Sequence, residues 1–219
     1  MTPLWDWGYA FSILPRLLEA LLVTIQITVL GSLVALVLGL VIAVVRRARI
    51  PVVDQLVWAF VEFVRSTPLL VQVFFLYYVL PHVGIVLSAF AVGVIGLGVH
   101  YATYTSEVYR AGIDAVPVGQ WEAAAALSLP RSRVWTGVIL PQAVPRVLPA
   151  LGNYVISMFK EVPLLLAVSV VEVVNTAKEI SSETFRPTEP YTIAGLLFLL
   201  LSYPASILVR RLERRSVAV

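Results

Sequence analysis

Gly119-Gln120-Trp121-Glu122-Ala123-Ala124-Ala125-Ala126-Leu127-Ser128-Leu129-Pro130, followed at a short distance by Val138-Ile139-Leu140-Pro141, interrupts a chain that otherwise reads as buried in lipid. Gly119 precedes a run of strong helix formers from Gln120 to Leu127. Ser128 and Pro130 end that run, and Pro130 suits the first turn of a second short helix running toward Gly137. The spacing predicts a helix-break-helix elbow. Four consecutive alanines leave a smooth surface that another protein can approach closely, and Trp121 is a large side chain of the kind enriched at interface hot spots. An amphipathic helix resting on the membrane surface is the competing reading of the same residues.

Working outward, the chain is 59% hydrophobic and 13% charged, where soluble domains average about 25% charged. This predicts an integral membrane protein. A spanning helix needs about 20 mostly apolar residues, and five segments qualify: Leu17 to Val45, Val53 to Leu80, Val86 to Tyr109, Leu148 to Val171 and Tyr191 to Leu212. None alternates like a barrel strand, and Leu33 to Val45 is apolar on every face, so all five are expected to be helices. The expected fold is an all-α membrane protein, with residues 17–214 as one transmembrane domain. Residues 1–16 form an external or interfacial segment without the basic start and cleavage site of a signal peptide. With the N-terminus outside and the C-terminus inside, Arg46, Arg47, Arg49, Arg110, Arg131, Arg133, Arg146, Arg210, Arg211, Arg214 and Arg215 all fall on the cytoplasmic side, as the positive-inside rule prefers. The elbow, between the third and fourth helices, is then cytoplasmic.

Several functions are disfavoured by what the chain lacks. It has no cysteine, and His82 and His100 stand far apart, so a disulfide framework or metal centre is not expected. Net charge is only +3, which suggests no nucleic-acid partner. No Gly-rich phosphate loop of the Gly-x-x-x-x-Gly-Lys-Ser/Thr type occurs, so ATP chemistry, if used, belongs to another polypeptide.

Three further blocks carry charges inside apolar segments, where each central charge costs about 2.5 to 3.5 kcal/mol on an insertion scale and is expected to face protein or water. The first is Glu62-Phe63-Val64-Arg65-Ser66-Thr67-Pro68-Leu69-Leu70-Val71-Gln72, whose Pro68 breaks the helix and frees carbonyls; a Glu62–Arg65 pair that only stabilises the kink is equally open. The second runs from His100 to Ile113, with Glu107 and Arg110 three apart on one face just before the elbow, a position that suits a gate or transmission role. The third is Asn153 to Leu164, where Lys160 and Glu161 point about 100° apart and Pro163 interrupts the ladder. Both charge signs beside a broken helix suit a zwitterion. Small residues Gly31, Ser32, Ala35, Gly39 and Ala43 share one face of the first helix and allow close helix approach. The polar stretch Glu172 to Pro190 covers a mouth, meets a partner or is a solvated loop.

The elbow resembles the EAA loop of importer permeases in the ATP-binding-cassette class: Glu-Ala-Ala, three residues, Gly, nine residues, Ile-x-Leu-Pro. Glu122, Ala123, Ala124, Leu140 and Pro141 match, Ser128 replaces the Gly and Val138 the Ile. The other blocks are similar to the polar amino-acid permeases of that class, in the same order. Trp5-Asp6-Trp7, His100-Tyr101, Pro163 and Ser182 to Arg186 further resemble ectoine/hydroxyectoine permeases, while Val162 and Pro163 replace a Thr-Ser of the wider family. The resemblance implies a multi-pass subunit in the bacterial inner membrane, no cofactor on this chain, and ATP-Mg on cytoplasmic ATPase subunits. It also implies a second permease subunit, identical or homologous, and an external binding protein that delivers a small zwitterionic solute. Gly119, Gln120, Trp121, Glu122, Ala123, Ala124 and Ser128 are the implied ATPase contact. Glu62, Gln72, Asn153, Lys160 and Glu161 are candidates for the solute path, and Arg65, Glu107 and Arg110 for gating. An ion-coupled secondary transporter using Glu62, Glu107 and Glu161 is the alternative, although no inverted repeat is visible. An enzyme built on His82 or His100 lacks any readable base and nucleophile.

Overall fold

Apolar runs without period-two alternation fold as helices because, in lipid, each backbone N–H and C=O needs a partner within its own segment. A computed structural model describes residues 5–216, and among these the chain contains helices and turns but no strand. The elements are α1 (Trp7–Arg47), α2 (Pro51–Ser66), α3 (Leu69–Phe74, extended by a π turn and a 3-10 turn to Val83), α4 (Ala89–Asp114), α5 (Val118–Ala126), α6 (Arg131–Arg133), α7 (Leu140–Glu161, entered through a π turn over Val134–Ile139 and continued by a 3-10 stretch over Val162–Val168), α8 (Val173–Thr184) and α9 (Thr188–Ser216). Three helical stretches are long and apolar enough to cross a membrane: Trp7–Arg47, Arg131–Val168 and Thr188–Arg214. The pair α2 and α3, bent by 103°, makes a fourth if it is taken as one broken span. Helix α4, the third of the five expected crossings, has the length at 26 residues, but its second half carries a run of polar side chains.

Helix α1 begins at Trp7, so residues 7–16 of the expected external or interfacial segment are helical; Met1 to Leu4 lie outside the described residues. Asp6 caps that start by accepting the Tyr9 N–H at 3.2 Å, and Pro15 sits inside the helix without ending it. The stretch Glu172 to Pro190, read as a loop, contains α8. Val173, Ala177 and Ile180 recur at helical spacing and are buried against α1, α7 and α9. Arg16 of α1 holds its outer face through Glu183 at 2.8 Å and Glu179 at 3.2 Å.

The core centres on α1 against α4. A Cβ on Gly39 would collide with Thr105 Oγ1 and come within 2.9 Å of the Ala102 carbonyl oxygen, and one on Gly98 would lie 2.6 Å from Val34. Thr105 donates its hydroxyl to the Ala35 carbonyl at 2.8 Å, across the two helices. Leu69 and Val73 of α3, Val92 and Leu97 of α4, Met158 of α7 and Leu165 pack on that seam. Overpacking of this kind costs about 1–3 kcal/mol. Gly39→Ala is therefore expected to lower the melting temperature of the detergent-solubilised protein, whereas Gly119→Ala, at a glycine with open space, leaves it nearly unchanged.

Glu172 caps α8 while wholly buried, accepting the N–H groups of Val174 at 2.9 Å and Asn175 at 2.6 Å. Burial pushes its carboxyl above the ordinary glutamate value, and the two backbone donors oppose the shift without cancelling it. A raised pKa in the fold means stability that is complete below the unfolded value, near 4.5, and is lost as pH rises through the folded one. The melting temperature of Glu172→Gln should therefore gain on the parent as pH is raised from that value.

Candidate functional site

Pro68 has no N–H to donate, and α2 ends at Ser66, with Thr67 and Pro68 before α3 begins at Leu69. The carbonyls left open by the break are met by two side chains, of which Thr67 donates its hydroxyl to Phe63 O and Val64 O, each at 3.1 Å. Gln72 Nε2 donates to Val64 O at 2.6 Å, Thr67 O at 3.0 Å and Thr67 Oγ1 at 2.9 Å. With three acceptors around the amide nitrogen, Gln72 Oε1 faces His100 and accepts from Nδ1–H at 3.2 Å, which places the imidazole proton on that nitrogen. Gln72 staples the broken helix to α4. A groove of about 350 Å³ opens beside it, lined by Phe63, Thr67, Phe75, Gly96 and Val99.

His100 opens a cluster of rings. Its ring lies 5.3 Å from Tyr104 and 5.7 Å from Tyr101, and Tyr154 of α7 lies 5.8 Å from each tyrosine. Arg65 places its guanidinium 5.0 Å from the Tyr104 ring centre. On the other side Tyr101 meets the Glu161 carboxyl. Ring faces with a carboxylate suit a cation, and a guanidinium suits a carboxylate. On the α1 side of the cluster, the cavity among Ser32, Tyr101, Thr105, Tyr154 and Met158 measures about 10 Å³, enough for one water and no solute.

The path candidates therefore divide. Gln72 and Glu161 come together with Arg65, whereas Glu62 and Lys160 are exposed and form no hydrogen bond or ion pair among the described residues. Glu62 does not pair with Arg65, because Arg65 takes the ring of Tyr104 instead. Asn153 faces α9 and donates to Glu213 at 3.3 Å. Tyr154, which the sequence did not single out as a site residue, sits in the middle. It stands next to Asn153, and its only signal was an aromatic within a charged block.

The elbow forms as a short helix, α5, whose end is sealed by Ser128 N–H to Ala125 O at 2.9 Å and Leu129 N–H to Ala124 O at 3.1 Å. Ser128 reaches this geometry only in the left-handed region, at φ 51°. Gly119, Gln120, Glu122, Ala123 and Ser128 are exposed, as are Val118 and Leu127. Trp121 and Ala124 turn inward: Ala124 is buried and the Trp121 ring stands edge-on to Trp135 at 5.5 Å. Trp121 thus supports the elbow from behind rather than standing out as an anchor. Beside it, Glu107 accepts from Arg46 at 2.7 Å and Arg110 at 2.6 Å, and Arg46 also reaches Asp54 at 3.3 Å. Left-handed backbone costs a side-chain-bearing residue about 1–2 kcal/mol, part of which glycine returns as freedom of the unfolded chain. Ser128→Gly is expected to raise the melting temperature modestly.

Residues 35–217 match the family model described as the inner membrane component of binding-protein-dependent transport systems. A probable amino-acid ABC transporter permease of Sinorhizobium fredii, y4tG, is 51% identical over 211 residues, covering 94% of this chain and 91% of that protein. The glutamine transport system permease GlnP of Escherichia coli K12 is 32% identical over 212 residues, covering 96% and 97%. Among solved structures, that of an amino acid ABC transporter with histidines superposes with a TM-score of 0.90 at 33% identity, covering 98% of this chain and all of that one. The MetNI methionine transporter in an inward-facing form shares the fold, with a TM-score of 0.67 at 18% identity.

Proposed function

This chain belongs to the family of inner membrane components of binding-protein-dependent transport systems, and we propose that it lines the path of a small zwitterion and gates it at the tyrosine cluster. The chain is a transmembrane subunit of an ABC amino-acid importer, lies in the inner membrane and is not itself an enzyme; hydrolysis belongs to a separate ATPase subunit, and a binding protein is a further partner. The finer reading has five crossings with the N-terminus outside, two such subunits side by side, and ATP-Mg on the ATPases below the elbow. Gly119, Gln120, Glu122, Ala123 and Ser128 then face the ATPase, with Trp121 and Ala124 behind them.

One observation carries the solute reading: in the cluster of Tyr101, Tyr104 and Tyr154, Arg65 lies over the Tyr104 ring and the Glu161 carboxyl stands by Tyr101, so opposite charges border one group of rings. A cationic group among the rings near Glu161 and a carboxylate at Arg65 satisfy both. Relatives named for arginine and for glutamine transport support a polar amino acid. The resemblance at Trp5 to Trp7, His100, Pro163 and Ser182 to Arg186 favours ectoine or hydroxyectoine, whose ring amidinium suits a ring-lined site beside a carboxylate. An ion-coupled carrier is not favoured, since the chain matches the binding-protein-dependent family and Glu107 is taken up by two arginines.

The test is uptake of radiolabelled ectoine, competed by polar amino acids, in cells making this subunit with its partners. Ectoine uptake that resists competition supports the narrow substrate, whereas competition by glutamine or arginine overturns it in favour of an amino acid. Losing a charge-assisted contact costs about 1.5–3 kcal/mol, so Glu161→Gln is expected to cut uptake roughly tenfold or more at unchanged protein level. Unaltered uptake would remove Glu161 from the path.

A further inference from the structure

Arg47 is the last residue of α1, and sequence reading counted it only toward membrane orientation. In the structure its guanidinium carbon lies 5.4 Å from the ring centre of Trp121 on α5 and 5.4 Å from that of Trp135 in the π turn leading to α7. The same group donates through Nη1 to Asp114 Oδ1 at 3.0 Å, at the end of α4. One α1 side chain therefore touches three other parts of the fold. Among the described residues no other α1 side chain is stacked on or hydrogen-bonded to the elbow. The remaining support of α5 comes from the cluster of Val116, Ile139 and Ala143 with Ile113, Val134 and Val138, which ties it to α4 and α7.

We propose that Arg47 is a positioning residue that clamps the elbow to α1, so that displacement of α5 by a partner is delivered to the α1–α4 seam and through it to the tyrosine cluster. Arginine suits the task because its flat, always-charged group stacks on two rings while its edge still donates to a carboxylate. Its neighbour Arg46 fastens the same end of α1 to Glu107 and Asp54, so a pull on Arg47 meets a stiff seam rather than a free helix end. Without the stack, α5 moves with α7 and α4, and α1 receives no direct push. The inference rests on the reading of α5 as the ATPase contact.

The test uses the complete transporter in proteoliposomes, with its ATPase and binding protein, and reads solute moved per ATP hydrolysed. Loss of two partly desolvated cation–π contacts is expected to lower that ratio about tenfold in Arg47→Met while the ATPase stays bound and hydrolysis persists. Arg47→Lys, which keeps the charge and a weaker stack, should recover part of the ratio and serves if the Met variant does not assemble. An unchanged ratio in both variants, or equal loss of transport and hydrolysis, overturns the clamp. Glu122→Arg separates the two ideas. It should release the ATPase from the complex, and if the ATPase remains bound and coupled, the elbow reading fails whatever Arg47 does.

Discussion

The closeness of α1 and α4 is the constraint on which the rest depends. Lipid gives helices no hydrophobic reason to associate, so contact must come from shape and cross-helix hydrogen bonds. Gly39 and Gly98 let the two backbones meet with no side chain between them, and Thr105 spends its hydroxyl on the opposite backbone. Once that seam is fixed, its ends have no choice of partner. Arg46 falls on Glu107, Arg47 falls on Asp114 and the two tryptophans, and the free faces of α4 carry His100, Tyr101 and Tyr104 toward α3 and α7.

The ring cluster is bordered by interruptions. Pro68 breaks one helix and Pro163 follows the end of another, and both breaks border the ring cluster. A break in lipid is tolerable only if its carbonyls are met. Gln72 meets them on one side, which explains why an amide expected to touch solute is instead fully occupied by backbone and His100.

What the sequence disclosed was local. The elbow, the break at Pro68 and the Glu107–Arg110 pair are set by residues within a few positions of one another, and each is present. What it concealed was tertiary. Arg65 pairs with a ring on another helix, Trp121 faces inward, and Arg47 reaches Trp121 and Trp135 far along the chain; no periodicity predicts a cation finding a ring across such separations. Helix α8 was missed for a different reason. Its polar residues drew attention, while the spacing of Val173, Ala177 and Ile180, legible in retrospect, encodes a buried face. The left-handed Ser128 stands between these cases: the motif marked a glycine position, and the backbone there does require positive φ.

The central claim is that the elbow and the α1–α4 seam move as one body. The chain has no cysteine, so spin labels can be placed at the exposed positions Val44 on α1 and Leu127 at the elbow tip, with labelled subunits diluted among unlabelled ones in the complete transporter. Pulsed electron resonance should give the same Val44 to Leu127 distance with and without bound ATP, while the separation of the two elbows in the assembly changes. A Val44 to Leu127 distance that shifts with nucleotide would show the elbow swinging free of α1 and would contradict the claim.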